Sequence, residues 1–173
     1  MIKYYTQQSK QKDSTALTSL YVCFQIGAIH YAIPSQDVMR VIPLIHFKDI
    51  PEMPKYLSGV GLVHGKRLPL IDLCLFLNNQ PFQPCLSTRI LIIQHETLTN
   101  PIGFIAESVT DLFYASSLEY NQENNYNQTP YLKGMLDNDQ CMIHVIDITQ
   151  LLLKFEFLHS LQTYLHKGRE INK

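Results

Sequence analysis

Neither charge dominates this chain. Lys and Arg number 14 and Asp and Glu 15, for a formal net charge of -1. No overall basic field exists to hold a nucleic-acid backbone, which weakens the case for a DNA- or RNA-binding protein. Cysteine is sparse: Cys23, Cys74, Cys85 and Cys141 are the four present, and none forms a C-x-x-C pair. Three sit in apolar runs, where a free thiol behaves as a small hydrophobe. All four read as reduced thiols of a cytosolic protein. Long apolar runs are missing too. The longest, Leu68 to Leu77, contains Asp72 and is far too short to span a bilayer, so no direct membrane insertion is expected. The opening MIKYYTQQSKQKDST lacks the apolar stretch of a secretory signal.

Catalytic signatures are also missing. No G-x-S-x-G elbow occurs. Gly59-Val60-Gly61 lacks the spacing of a phosphate loop and falls in a predicted strand. The seven histidines show no H-E-x-x-H or H-x-x-E-H spacing. Cys141 and His144 are three apart in a predicted strand and therefore point to opposite faces. No enzyme, metal site or cofactor is expected.

What is present is a chain with 46% hydrophobic residues, enough for a packed core. Residues 1–18 are polar and aperiodic and read as a flexible leader. Short β-rich runs follow at Leu20–Gln25 and His30–Ile33, then Tyr56–His64 and Arg67–Ile71 around a turn at Gly65-Lys66. Arg89–Gln94, Ile102–Ala106, Tyr131–Leu136 and Cys141–Ile146 continue the pattern. Ser35 is placed to cap a short helical turn over Gln36–Val41. Asp72 caps a short helix at Leu73–Leu77, and Asp147 caps a final one. Leu151, Phe155, Leu158, Leu161 and Leu165 recur at helical spacing, predicting an amphipathic helix over 147–167 that stops near Gly168, leaving a tail over 168–173. Asn121–Thr129 is a polar low-complexity loop.

The strongest signal is an internal repeat. Tyr56-Leu57-Ser58-Gly59 matches Tyr131-Leu132-Lys133-Gly134, 75 positions later. The same spacing sets Ile71-Asp72 on Ile146-Asp147. Upstream, Tyr31–Val38 matches Ile102–Val109 at a spacing of 71, and that spacing sets Leu20–Phe24 on Leu91–His95. Val38–Val41 and Val109–Leu112 correspond, both read as short turns. Two ordered matches favour duplication over chance similarity of hairpins. The fold class is therefore all-β: two pseudo-repeated five-stranded β-barrels with short helices and a C-terminal helix. Closing each sheet on itself avoids open edges. The halves fall at about 19–80 and 88–147, and a groove between two barrels suits a partner helix.

Four segments, YAIPSQDVMRVI, IPEMPKYLSGVGLVHGKRLPLIDL, PIGFIAESVTDL and YLKGMLDNDQCMIHVIDITQLL, resemble the CheW-like coupling proteins of bacterial chemosensory arrays, including relatives that serve type IV pilus systems and twitching motility. The likeness spans roughly residues 20–153. It implies intertwined SH3-like barrels and a non-catalytic scaffold. Its partners would be the cytoplasmic tip of a methyl-accepting chemoreceptor and the regulatory domain of a CheA-type histidine kinase. Carried over by position, the receptor-groove residues are Val38, Arg40, Gly59 and His64, with Val109 as the echo of Val38. Two depart from the family pattern. Arg40 stands where an acidic residue is usual, and His64 stands where an arginine is. If the two are adjacent, repulsion from the guanidinium favours the neutral imidazole. The competing reading is a barrel that binds single-stranded nucleic acid on Tyr114, Tyr120 and Tyr126, but the basic residues are scattered.

Overall fold

The computed structural model describes residues 19–115, 129–138, 141–158 and 161. The expected leader over 1–18, Tyr120, Tyr126, nearly all of the 121–129 loop, Leu165, Gly168 and the 168–173 tail lie outside the described residues.

Strands β1 (Ser19–Ile26) and β2 (Ile29–Pro34) form a hairpin. A three-residue 3-10 turn, Ser35–Asp37, leads into β3 (Val38–Pro43). Then come β4 (Phe47–Lys48), β5 (Leu57–Val63), β6 (Lys66–Asp72) and helix α1 (Leu73–Asn78). The second half repeats the series with β7 (Arg89–Ile93), β8 (Ile102–Ala106), β9 (Ser108–Ala115), β10 (Leu132–Asn138), β11 (Cys141–Ile146) and α2 (Ile148–Leu152).

The halves exchange strands. One sheet runs β10-β11-β2-β1-β9 and the other β3-β7-β8-β6-β5-β4. Under the repeat, β10 corresponds to β5, β11 to β6, β2 to β8, β1 to β7 and β9 to β3. The two orders are then identical, with β4 added at one edge. Each sheet takes two strands from one half and three or more from the other, so neither sequence half is a barrel by itself. Register confirms the duplication. Leu70 pairs with Gly103 where Val145 pairs with Ala32, both in parallel ladders. β5 and β10 each bulge one residue before the glycine, at Ser58 and Lys133. β3 and β9 bulge at Met39 and Thr110.

Burial follows from the period-2 alternation of side chains. Tyr21 and Cys23 point into one barrel with Ala32, Phe113, Leu136, Ile143 and Val145. Ile90 and Ile92, their equivalents, fill the other with Leu68, Leu70 and Ile105. Alternate residues of the same strands, such as Val22, Phe24, Leu91 and Ile93, turn the opposite way into a third, larger core between the barrels. Strands buried on both faces read as unbroken apolar runs, and β8 is buried at every position.

Several expectations are corrected. The segments read as turns at Val38–Val41 and Val109–Leu112 are strands, and the helical turn after Pro34 is only three residues long, with no side-chain cap from Ser35. Leu20–Phe24 does not align with Leu91–His95. Phe24 pairs with Val109 as Ile93 pairs with Val38, so β1 and β7 correspond at a spacing of 69. The reason is a longer connection: eight residues separate the paired Ile93 and Ile102, against six between Phe24 and Tyr31.

The helix expected over 147–167 is interrupted. α2 ends at Leu152, and Lys154 and Phe155 donate to Leu151 and Leu152 in tight three-residue bonds. That turn lets Phe155 drop into the inter-barrel core beside Phe76, with ring centroids 4.9 Å apart, and near Tyr56 and Phe104. Leu151, Phe155, Leu158 and Leu161 are nonetheless all buried, as the spacing implied.

Candidate functional site

Both helix caps form as expected. Asp72 is buried and accepts from the backbone N–H of Leu75 at 2.9 Å and of Phe82 at 3.1 Å. Asp147 accepts from Gln150 at 3.0 Å. Their recurrence is therefore structural.

Val38 and Val109 sit at equivalent places. Each is half-buried against the core between the barrels. Arg40 is the first paired residue after the bulge at Met39, opposite Ile92. His64 belongs to the two-residue turn between Val63 and Lys66. Its φ of 49° and that of 76° at Gly65 are the doubly positive values of a type I′ hairpin turn. The sheet curls until β3, one of its edges, meets this turn. Arg40 Nη1 then lies 2.8 Å from His64 Nε2, and both side chains are exposed. A guanidinium has donors only, so His64 accepts through Nε2 and carries its proton on Nδ1.

Gly59 has a different environment. It is buried, its φ is 145°, and a Cβ there would lie 2.7 Å from the carbonyl carbon of Lys48 and closer still to its oxygen. It lets β4 close over β5. A tryptophan at position 59 would have to displace β4, because the space that its side chain needs is filled by backbone.

The structure thus brings Arg40 and His64 together and sets Gly59 beneath β4. Around the pair it adds residues that sequence reasoning did not single out. Met39 is 56% exposed, Leu62 is 67% exposed, and Val41, Lys66 and Arg67 are exposed as well. The bulge that turns Met39 outward has no marker in the sequence, whereas Leu62, Lys66 and Arg67 are legible from strand alternation around the turn.

Burial pushes the thiols of Cys23 and Cys74 up to about 12, with neighbouring Asp111 and Asp72 adding to it. Such thiols are inert at neutral pH. Exposed Cys85 differs: the hydroxyls of Ser87 and Thr88, at 3.1 and 3.2 Å, draw it down to about 7. Among the described residues no group of three or more His, Cys, Asp or Glu side chains is arranged to hold a metal ion, and no helix is long and apolar enough to cross a membrane. Tyr114 is 53% exposed on β9.

The sequence matches the CheW-like domain family over residues 20–156. The chain belongs to this family. Relatives include the chemotaxis protein CheW of Helicobacter pylori, 30% identical over 103 residues, which are 60% of this chain and 61% of that protein. The chain thus spans under two thirds of that relative. Protein PilI of Pseudomonas aeruginosa is 28% identical over 72 residues, 42% of this chain and 40% of that one. Among solved structures, the scaffolding protein TtCheW of Thermoanaerobacter tengcongensis shares the fold. Its TM-score is 0.67 at 22% identity, covering 84% of this chain and 91% of that one.

Proposed function

We propose that this CheW-like chain is a non-catalytic coupling adaptor. It joins the cytoplasmic tip of a chemoreceptor to the regulatory domain of a CheA-type histidine kinase, and it works in the cytoplasm at membrane-anchored receptor arrays. The observation that carries the reading is the family match, which runs from β1 through the turn after α2 and so takes in nearly all of the described fold. The site supports it: an exposed Arg40–His64 pair flanked by exposed apolar side chains has the make-up of an interaction surface. Val38, Arg40, His64 and Val109 are the receptor-facing positions under this reading, and Gly59 holds the strand beneath them. The reading needs no cofactor, since it relies on stoichiometric binding.

Titration calorimetry of the purified protein against the regulatory domains of its organism's chemosensory kinases tests it. Saturable binding at micromolar affinity or tighter to one kinase is expected, and that kinase names the output, flagellar chemotaxis or type IV pilus-driven twitching. Failure to bind any of them overturns the adaptor reading.

A further inference from the structure

The surface where β3 meets the β5–β6 turn carries cationic and apolar side chains, and among the described residues its strands offer no exposed carboxylate. β3, β5 and β7 contain no acidic residue. The one acid of β6, Asp72, is 3% exposed and capped into α1. Asp37, directly before β3, faces His95, Glu96 and Asp147 rather than Arg40, and its carbonyl accepts from the backbone N–H of Gln94. β4 pairs Phe47 with Gly61 and Lys48 with Val60, so the chain leading to Asp49 and Glu52 runs away from His64. Among the described residues, Arg40 has one side-chain partner, the Nε2 nitrogen of His64. That bond engages one of five guanidinium N–H donors, leaving most of a fork that matches a carboxylate in shape. Lys66 adds positive charge beside the turn, while Met39, Val41 and Leu62 supply exposed apolar surface.

We infer that this surface takes an acidic, amphipathic helical segment of the partner, its carboxylates on Arg40 and its apolar side on Met39, Val41 and Leu62. The inference rests on the adaptor reading above and adds the chemistry of the receptor segment. A basic segment would bring like charge against Arg40 and is disfavoured. A neutral one would leave the fork unmatched in a drying interface.

The test uses helical hairpins that carry the receptor tips of the source organism. Each is made in native form and with its exposed Glu and Asp changed to Gln and Asn. Wild-type protein should bind one native hairpin, with affinity falling as salt rises. Arg40→Glu, or the amide hairpin, should weaken binding roughly tenfold or more. A hairpin with Lys in place of the contacting Glu should restore binding to Arg40→Glu. His64→Asn removes the Nε2 acceptor in a residue that tolerates the positive φ, and about a threefold loss is expected. Circular dichroism confirms that the variants fold. Equal affinity for native and amide hairpins, unchanged by Arg40→Glu, overturns the inference and leaves the adaptor reading standing. Binding to a kinase but to no hairpin overturns it too, and binding to neither overturns both.

Discussion

Arg40 and Asp111 occupy equivalent places in the two halves. Each follows the bulged residue of its strand, and the partners opposite them, Ile92 and Cys23, are themselves equivalent. The bulged residues are Met39 in one half and Thr110 in the other. One face therefore presents a cation beside an exposed thioether, and the other a carboxylate beside a hydroxyl. The backbone was duplicated with strand order, register and bulges intact, while the surface diverged to opposite sign. Backbone geometry is constrained by three packed cores. A surface residue after a bulge is free to change, and there the halves carry opposite charge.

The largest difference between the halves should appear at the paired glycines. Gly59 lies beneath β4, whereas β10, which carries Gly134, is an edge strand among the described residues. Gly59→Ala should cost about 3 kcal/mol, because the new methyl meets backbone and the φ is unfavourable to L-residues. Gly134→Ala should cost less than half as much. Urea melts of both variants decide it, and equal losses would mean that β4 does not set the difference.

The caps come next. Asp72 is buried and accepts two backbone bonds, while Asp147 accepts one at a more open site. Asp72→Ala should lower stability by about 2 kcal/mol, since two half-buried donors lose their acceptor. Asp147→Ala should lower it by about 1 kcal/mol. A reversed order would show that the second cap, close to the Phe155 turn, carries more of the fold than its bonds suggest.

The smallest expected effect is a pH dependence confined to one barrel. His144 on β11 stands where β6 has Pro69. Its Nδ1 is buried without a hydrogen-bond partner among the described residues, and burial holds its pKa below the ordinary 6.5. The unfolded chain therefore takes up this proton first. Stability contributed here is present above pH 6.5 and is lost as pH falls from there toward the depressed folded value. His144→Phe should flatten that part of the profile in thermal melts at pH 5 to 8. An unchanged slope would assign the effect to other groups.

Much of this was legible in the sequence. The duplication, both caps and the strands with clean apolar runs could all be read, and the β5–β6 turn, read at Gly65-Lys66, lies one residue earlier at His64-Gly65. What escaped has a common cause. β3 and β9 were read as turns because each is mostly exposed or half-buried and carries a bulge, which breaks the alternation that marks a strand. The register of β1 was misjudged by two residues because the β7–β8 connection is longer, and loop length leaves no trace in strand patterning. Strand exchange enters only through the family resemblance, because each half repeats the same order of elements whichever partner it pairs with. At the site, Arg40 and His64 were found through their positions in the motif. The job of Gly59 depends on a crossing strand 11 residues earlier, which only three-dimensional packing reveals.

Strand exchange also shapes how this chain must be made. β1 and β2 leave the ribosome first, yet their ladder neighbours β9 and β11 are synthesised some 80 to 110 residues later. Until those arrive, the β1–β2 hairpin has two open edges, and its apolar residues face an unfinished interior. Non-local pairing of this kind slows folding and exposes strand edges to other chains meanwhile. The first barrel to begin is therefore the last to close, and its β1–β2 edges stay open until β9 and β11 are in place.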